Sequence, residues 1–235
     1  MSLPTLNIDP ERLRQAYTSA KPFPHIVIDG LFQEDVLERV LEVFPSPEDA
    51  NWQRFDNLKE KKLGNLRSLL ETNSTISSFL LSMNSPRMLE FLEALTGIDG
   101  LIPDPYFGGG GLHQIVRGGF LKVHADFNWH PKLRLDRRLN MLIYLNKEWR
   151  EEYGGHLELW NPNLKSAAQS ILPVFNRTVI FSTTDSAYHG HPTPLRCPDS
   201  LTRKSISLYY YSSGRPAEEK SAPHDTHFPE IAGRS

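Results

Sequence analysis

Residues 121–127 read LKVHADF. Leu121 and Val123 flank Lys122 in the alternation of a half-buried strand, and then His124 and Asp126 interrupt it, two residues apart. On an extended chain residues i and i+2 share a face. An imidazole and a carboxylate therefore stand side by side on a wall that the pattern predicts to be partly buried. Polar groups buried without partners are costly, so either the two satisfy each other or a third species compensates both. A second stretch favours the third species. The apolar run 178–181 leads into FSTTDSAYHGHP, residues 181–192, which delivers His189 and His191, 63 and 65 residues beyond Asp126. Two imidazoles with one carboxylate are the facial donor set that suits Fe(II) and leaves the opposite coordination positions open. A site that is not closed by protein ligands can admit a substrate. His189 and His191 compete for the place of third ligand.

Outward from that strand, the chain after Gly97 consists of short segments: LHQIV, FLKVHA, LNMLIYLN, HLELW, RTVIFST and SISLYYYS. Each is rich in β-branched, aromatic or leucine residues, and turn residues separate most of them. Successive strands without intervening helices predict an antiparallel sandwich or jelly roll. The first hundred residues read as mainly helical. Val36, Leu37, Val40, Leu41 and Phe44 share one helical face, and Pro45 and Pro47 end it. STISSFLLSM at 74–83 is a weaker helical segment. In SPRMLEFLEALTG, Ser85 is placed as N-cap, Pro86 as first residue and Gly97 just past the end. The expected fold class is α+β with a mainly β core: N-terminal helices to about residue 100, the β core over about 101–213, and a polar tail or flap over 214–235. No repeat or linker interrupts the chain, so 1–235 is read as one domain. FGGGGLH at 107–113 lacks the Gly-Lys-Ser/Thr and long helix of a phosphate loop. A mobile active-site loop or a close approach to a sheet edge explains it better.

The bulk numbers are those of a globular protein: 235 residues, 39% hydrophobic, 23% charged. A net charge of −2 gives no broad cationic surface for nucleic acid. Basic clusters at 59–62 and 132–138 have acids beside them and read as solvated faces. No apolar stretch is long enough to span a membrane, and the start MSLPTLNIDPERLRQ does not read as a signal peptide. One cysteine, Cys197, excludes an intramolecular disulfide, and a reducing compartment, the cytoplasm, is the expected location. Oligomeric state is not legible.

Fourteen residues after His189 the chain reads RKSISLYYY. Alternation puts Arg203, Ser205, Ser207 and Tyr209 on one face. An arginine at the head of that face is suited to a two-pronged bond with a carboxylate. HADF, IYLNKEW, GGHLELW, YHGHP and RKSIS, in this order, resemble the catalytic core of the Fe(II)/2-oxoglutarate-dependent dioxygenases, and more closely the prolyl 4-hydroxylase-like branch. The resemblance covers roughly 112–211 and implies a double-stranded β-helix, a distorted jelly roll flanked by N-terminal helices.

It also implies roles. His124, Asp126 and His189 would bind iron, with His191 at a position that is apolar in the family. Arg203 would pair with the distal carboxylate of 2-oxoglutarate, assisted by Ser205 or Ser207 and by the hydroxyl of Tyr144. Leu157 would be a pocket wall. Gln114, where relatives often keep a tyrosine, would lie near the co-substrate. Trp129 and His130 would meet substrate at the mouth. HDTH at 224–227 lies in the polar tail and reads as solvated or as a lid contact. The implied cofactors are Fe(II), 2-oxoglutarate and O2, with ascorbate as a stimulant. The implied reaction hydroxylates an unactivated C–H bond of a small molecule, amino acid or peptidyl residue, releasing succinate and CO2. Asp126 points to hydroxylation rather than halogenation, because related halogenases have a small residue there; desaturation and ring formation stay open beside it. The competing readings are a non-catalytic jelly-roll protein that binds a metal or a sugar, and a cupin metalloenzyme of another class. The latter usually gathers more histidines in motifs closer together.

Overall fold

The computed structural model describes residues 6, 8–64 and 73–231. Among the described residues, four helices precede most of the sheet: α1 (Pro10–Ser19), α2 (Glu34–Glu42), α3 (Ser74–Met83) and α4 (Pro86–Thr96). Their starts are chemical. The side chains of Asp9, Asn73 and Ser85 each accept a hydrogen bond from a backbone N–H of the first turn that has no partner within the helix. Helix α4 begins with Pro86 and ends at Gly97 in the left-handed conformation, φ 72°, which glycine adopts without steric cost. The apolar faces hold Val36, Leu37 and Val40 on α2, Ile76, Phe79 and Met83 on α3, and Phe91, Leu92 and Leu95 on α4.

Those faces pack on one side of a long antiparallel sheet. Its strands are β1 (His25–Asp29), β2 (Gln53–Asp56), β3 (Glu60–Gly64), β4 (Ile102–Pro103), β5 (Gly111–Ile115), β6 (Phe120–His124), β7 (Trp129–His130), β8 (Leu135–Tyr144), β9 (Leu157–Trp160), β10 (Ala167–Ile171), β11 (Arg177–Ser182), β12 (His189–His191) and β13 (Arg203–Ser212). The hydrogen-bonded order is β1-β11-β8-β13-β5-β3-β6-β12-β9-β10, with β2, β4 and β7 pairing off this path. It is the curled sheet of a jelly roll, with β3 as the joint: Leu63 and Gly64 pair with β5, Glu60 and Lys61 with β6.

Alternation along β8 from Leu139 onward and along β13 up to Tyr210, where the register shifts, divides the molecule into core and cavity. On β8 and β13, Leu139, Met141, Ile143, Ile206, Leu208 and Tyr210 join the helices in one hydrophobic core. The intervening residues Asn140, Leu142, Tyr144, Arg203, Ser205, Ser207 and Tyr209 line a cavity on the other face. Register keeps the polar side chains together: Tyr144 is paired with Ser205, Leu142 with Ser207 and Asn140 with Tyr209.

The N-terminal region is less helical than its sequence suggests. It contributes β1, β2 and β3 to the sheet, and β1 adds to the edge of β11 over five paired positions. Five residues bounded by Pro24 and Gly30 carry too little periodicity to identify β1, which forms because an apolar strand edge is available. Strand β10 is likewise short and mostly exposed, and takes its conformation from pairing with β9.

Candidate active site

His124 ends β6 and His189 opens β12, and the antiparallel register pairs these two residues directly. Side chains at directly paired positions stand on the same face, and the two imidazole centroids are 4.4 Å apart. Each ring is held by its own strand: the Nδ1 atoms lie 2.8 Å from the Lys122 carbonyl and 2.9 Å from the Ala187 carbonyl, two residues upstream in each case. With Nδ1–H donated to a carbonyl, the lone pair of each ring is on Nε2 and faces Asp126. Asp126 Oδ1 is 3.6 Å from His124 Nε2, and Oδ2 is 3.5 Å from His189 Nε2. Burial, and secondarily the charge of His124, lower the pKa of His189 to about 4, so its ring is neutral at physiological pH. Burial alone would raise the Asp126 pKa, but Arg137, then His189 and His124, hold it well below the usual carboxylate range. One potential ligand atom from each of the three residues lies within 4.8 Å of the others, and they form the one such cluster of His, Cys, Asp or Glu among the described residues.

The same cavity continues to Arg203, whose buried guanidinium donates from Nε to the Gly155 carbonyl at 2.7 Å and from Nη2 to the Tyr144 hydroxyl at 3.3 Å. These bonds use two of its five N–H groups. Gly155 has φ 73°, and a Cβ there would stand 2.9 Å from Arg203 Cδ, so this glycine serves both turn and close approach. Burial raises the Tyr144 pKa, which keeps the phenol protonated and able to donate. Ser205, Ser207 and Leu157 also line the cavity.

Other side chains foreseen at the site lie elsewhere. Gln114 turns to the opposite face of β5, where its amide donates to the Thr202 hydroxyl at 2.7 Å; its neighbours His113 and Ile115 line the cavity instead. A one-residue difference on a strand exchanges the faces. His130 is buried against Asp104, 3.5 Å away, and with Trp129 forms β7 on the edge of β8, outside the cavity lining. His191 lines the cavity but stands outside the three-residue cluster, with its Nδ1 buried and lacking a hydrogen-bond partner among the described residues. The glycine run approaches a strand closely: a Cβ on Gly110 would lie 2.8 Å from the Ser207 carbonyl oxygen.

Several site residues carried no sequence signal. Arg137 and Asn140 reach Asp126 from β8, and Glu60 and Lys62 line the cavity from β3. The tail returns over the site as a strap: His227 exchanges two backbone hydrogen bonds with Ala125, and Thr226 and Phe228 face the cavity. Alternation in the DRRLNML segment could have placed Asn140 beside Tyr144 on one face; nothing local could have placed the strap.

Two proton-free imidazole nitrogens and a carboxylate match the donor preference of a divalent iron, and the Arg203–Tyr144 end offers charge-assisted donors for a carboxylate. Comparison with known proteins agrees. Residues 110–211 match the family model of the 2OG-Fe(II) oxygenase superfamily. A prolyl 4-hydroxylase from Pseudomonas putida shares the fold, with a TM-score of 0.54 at 12% identity over 88% of this chain and 100% of that one. HygX from Streptomyces hygroscopicus, solved with nickel and 2-oxoglutarate, superposes with a TM-score of 0.54 at 12% identity over 92% and 96%. A Trichoplax adhaerens prolyl hydroxylase, in complex with a peptide fragment of the hypoxia inducible factor oxygen degradation domain, gives 0.52 at 19% over 86% and 90%. Comparison with curated proteins gave no match. Residues 110–211 are thus a domain of the 2OG-Fe(II) oxygenase type, on a fold shared with prolyl 4-hydroxylases, and the chain is a 2-oxoglutarate-dependent dioxygenase.

Proposed function

We propose that this dioxygenase hydroxylates an unactivated C–H bond of a small molecule, an amino acid or a peptidyl residue, with 2-oxoglutarate converted to succinate and CO2. The observation that carries the reading is one cavity of about 220 Å³ holding both the His124–Asp126–His189 cluster and the Arg203–Tyr144 pair. His124, Asp126 and His189 would hold the iron, which together with 2-oxoglutarate supplies the oxidising chemistry. Arg203 and Tyr144 bind and orient the distal carboxylate of the co-substrate, with Ser205 and Ser207 as further hydroxyl donors. Leu142, Leu157 and Ile115 cover the space between the two ends and exclude water. The substrate then enters beside Glu60, Lys62, Thr226 and Phe228. The co-substrate and the reacting group of a substrate share this one cavity. That supports either a small molecule or one side chain of a peptide, and the peptide complex of the Trichoplax adhaerens relative supports the latter. One domain and a reducing compartment complete the proposal: β1 and β3 pair into the same sheet as the core, and Cys197 is buried and free.

The test is anaerobic titration of the metal-free protein with Fe(II) and then 2-oxoglutarate, following the visible charge-transfer band of the chelated co-substrate. Asp126→Ala is expected to lose metal and band together, and Arg203→Ala to keep the metal and weaken the band. Tight metal binding by the wild type without any band would overturn the proposal and leave a non-catalytic metal-binding jelly roll.

A further inference from the structure

Asp126 is not alone at the metal cluster. Its Oδ2 accepts a hydrogen bond from Asn140 Nδ2 at 2.7 Å and an ion-paired contact from Arg137 Nη2 at 3.1 Å. Both fall on the same oxygen. The amide orientation of Asn140 is fixed by chemistry, because its Oδ1 accepts from Arg137 Nε at 3.1 Å and Nη2 at 2.7 Å, and only an oxygen can face two guanidinium N–H groups. The guanidinium is itself held: its Cζ lies 3.6 Å from the Tyr209 ring centroid and 4.3 Å from that of Phe127. Arg137 is 1% exposed and Asn140 2%. From a corner of two perpendicular aromatic rings, through a guanidinium and an amide, the position of one carboxylate oxygen is therefore set.

Without that support the two oxygens of Asp126 would be nearly equivalent. One is 3.6 Å from His124 Nε2, the other 3.5 Å from His189 Nε2, and a carboxylate so placed can ligate through both. An ionised carboxylate has about four lone-pair sites, two on each oxygen. Asn140 takes one site on Oδ2 and the Arg137 cation stands against the same oxygen, while Oδ1 meets neither. We propose that Arg137 and Asn140 are positioning residues that restrict Asp126 to one-oxygen ligation. The consequence is a coordination count. Two imidazoles and one oxygen occupy three positions of an octahedral ion, and the three left admit a chelating co-substrate and the gas. Ligation through both oxygens would remove one of the three, and either the chelate or the gas would be lost. The inference rests on the oxygenase reading above.

The test compares wild type with Asn140→Asp and Arg137→Met, all anaerobic. Asn140→Asp keeps the size and the acceptor for Arg137 and removes the donor to Asp126. Three readouts are taken: Fe(II) stoichiometry, the 2-oxoglutarate charge-transfer band, and the electron paramagnetic resonance signal of nitric oxide added to the Fe(II)–2-oxoglutarate protein, which counts the last open position. The expected result is one Fe(II) retained in each variant, with 2-oxoglutarate affinity, or the nitric oxide signal per iron, lower on the order of tenfold. Variants that bind all three as the wild type does would overturn the inference while leaving the oxygenase reading intact. A wild type without the band would overturn both. If either variant fails to fold, Arg137→Lys, which keeps the cation between Tyr209 and Phe127 but not the fork, carries the same comparison.

Discussion

At the scale of single residues, the cavity separates two electrostatic tasks. Around the candidate metal cluster, burial keeps His189 neutral and Arg137 keeps Asp126 ionised, the forms in which an imidazole and a carboxylate can ligate a metal. At the far end, Arg203 carries its charge into a buried site where, among the described residues, its hydrogen-bond partners are a carbonyl and a phenol. A buried cation without a counter-ion is costly, and the anionic co-substrate proposed above would offset that cost. Arg203→Lys retains the charge but loses the planar fork. Loss of one charge-assisted hydrogen bond is worth about 2 kcal/mol, so anaerobic 2-oxoglutarate affinity is expected to fall roughly thirtyfold with Fe(II) affinity unchanged. Wild-type affinity in this variant would place the carboxylate elsewhere.

At the scale of elements, the cluster depends on how closely β12 lies on β6. Gly190 stands between His189 and His191, and a Cβ there would come within 2.8 Å of the Lys122 carbonyl oxygen and 2.9 Å of that of Leu121. These are backbone atoms and cannot swing aside. Gly190→Ala is therefore expected to push β12 from β6, separating the paired histidines. Overpacking of this kind costs about 1–3 kcal/mol of stability, and calorimetric titration with a divalent metal should show affinity weaker by at least about tenfold. An alanine variant that binds metal normally would show that the pairing tolerates the shift. Elements also explain what was readable in the chain. The spacing of His124, Asp126 and His189, and the alternation in RKSISLYYY, are local patterns, and each residue they mark lines the cavity or belongs to the cluster. Gln114 was misplaced because register on β5 is a tertiary outcome, and Trp129 and His130 because the chain turns away after Asp126 into a short edge strand.

At the scale of the whole molecule, the strap joins residues 221–228 to the candidate metal cluster. It is fastened by the two bonds between His227 and Ala125, by the Asn128 side chain to Ser221, Ala222 and His224, and by His224 Nε2 to Asp185 at 3.0 Å. Burial would lower the His224 pKa, but the Asp225 carbonyl and the Asp185 carboxylate outweigh it and raise it. Asp185 in turn sits below the ordinary value: burial opposes this, and His224, Ser221 and Arg215 outweigh it. A raised histidine contributes stability that is full below its unfolded value of about 6.5 and is lost as pH rises through the folded one. The depressed Asp185 contributes above about 3.9 and loses its share as pH falls through its folded value. The strap is thus held best between these limits. Hydrogen exchange at the His227 and Ala125 amides, corrected for intrinsic rates, is expected to accelerate from pH 6 to pH 8.5 relative to β13 amides, and His224→Gln should flatten the difference. Equal protection at both pH values would show that the backbone bridge alone holds the strap.

The sequence by itself determined the residue types of the candidate metal cluster, their spacing, the two faces of β13 and the capped helix that ends at Gly97, because each is a local consequence of backbone period or side-chain chemistry. It did not determine that β3 joins the two limbs of the sheet, that Arg137 and Asn140 reach Asp126, or that the tail covers the cavity. Those are contacts between segments far apart in the chain, and they exist only once burial of the helix faces against β8 and β13 has fixed which strand edges and which polar side chains meet.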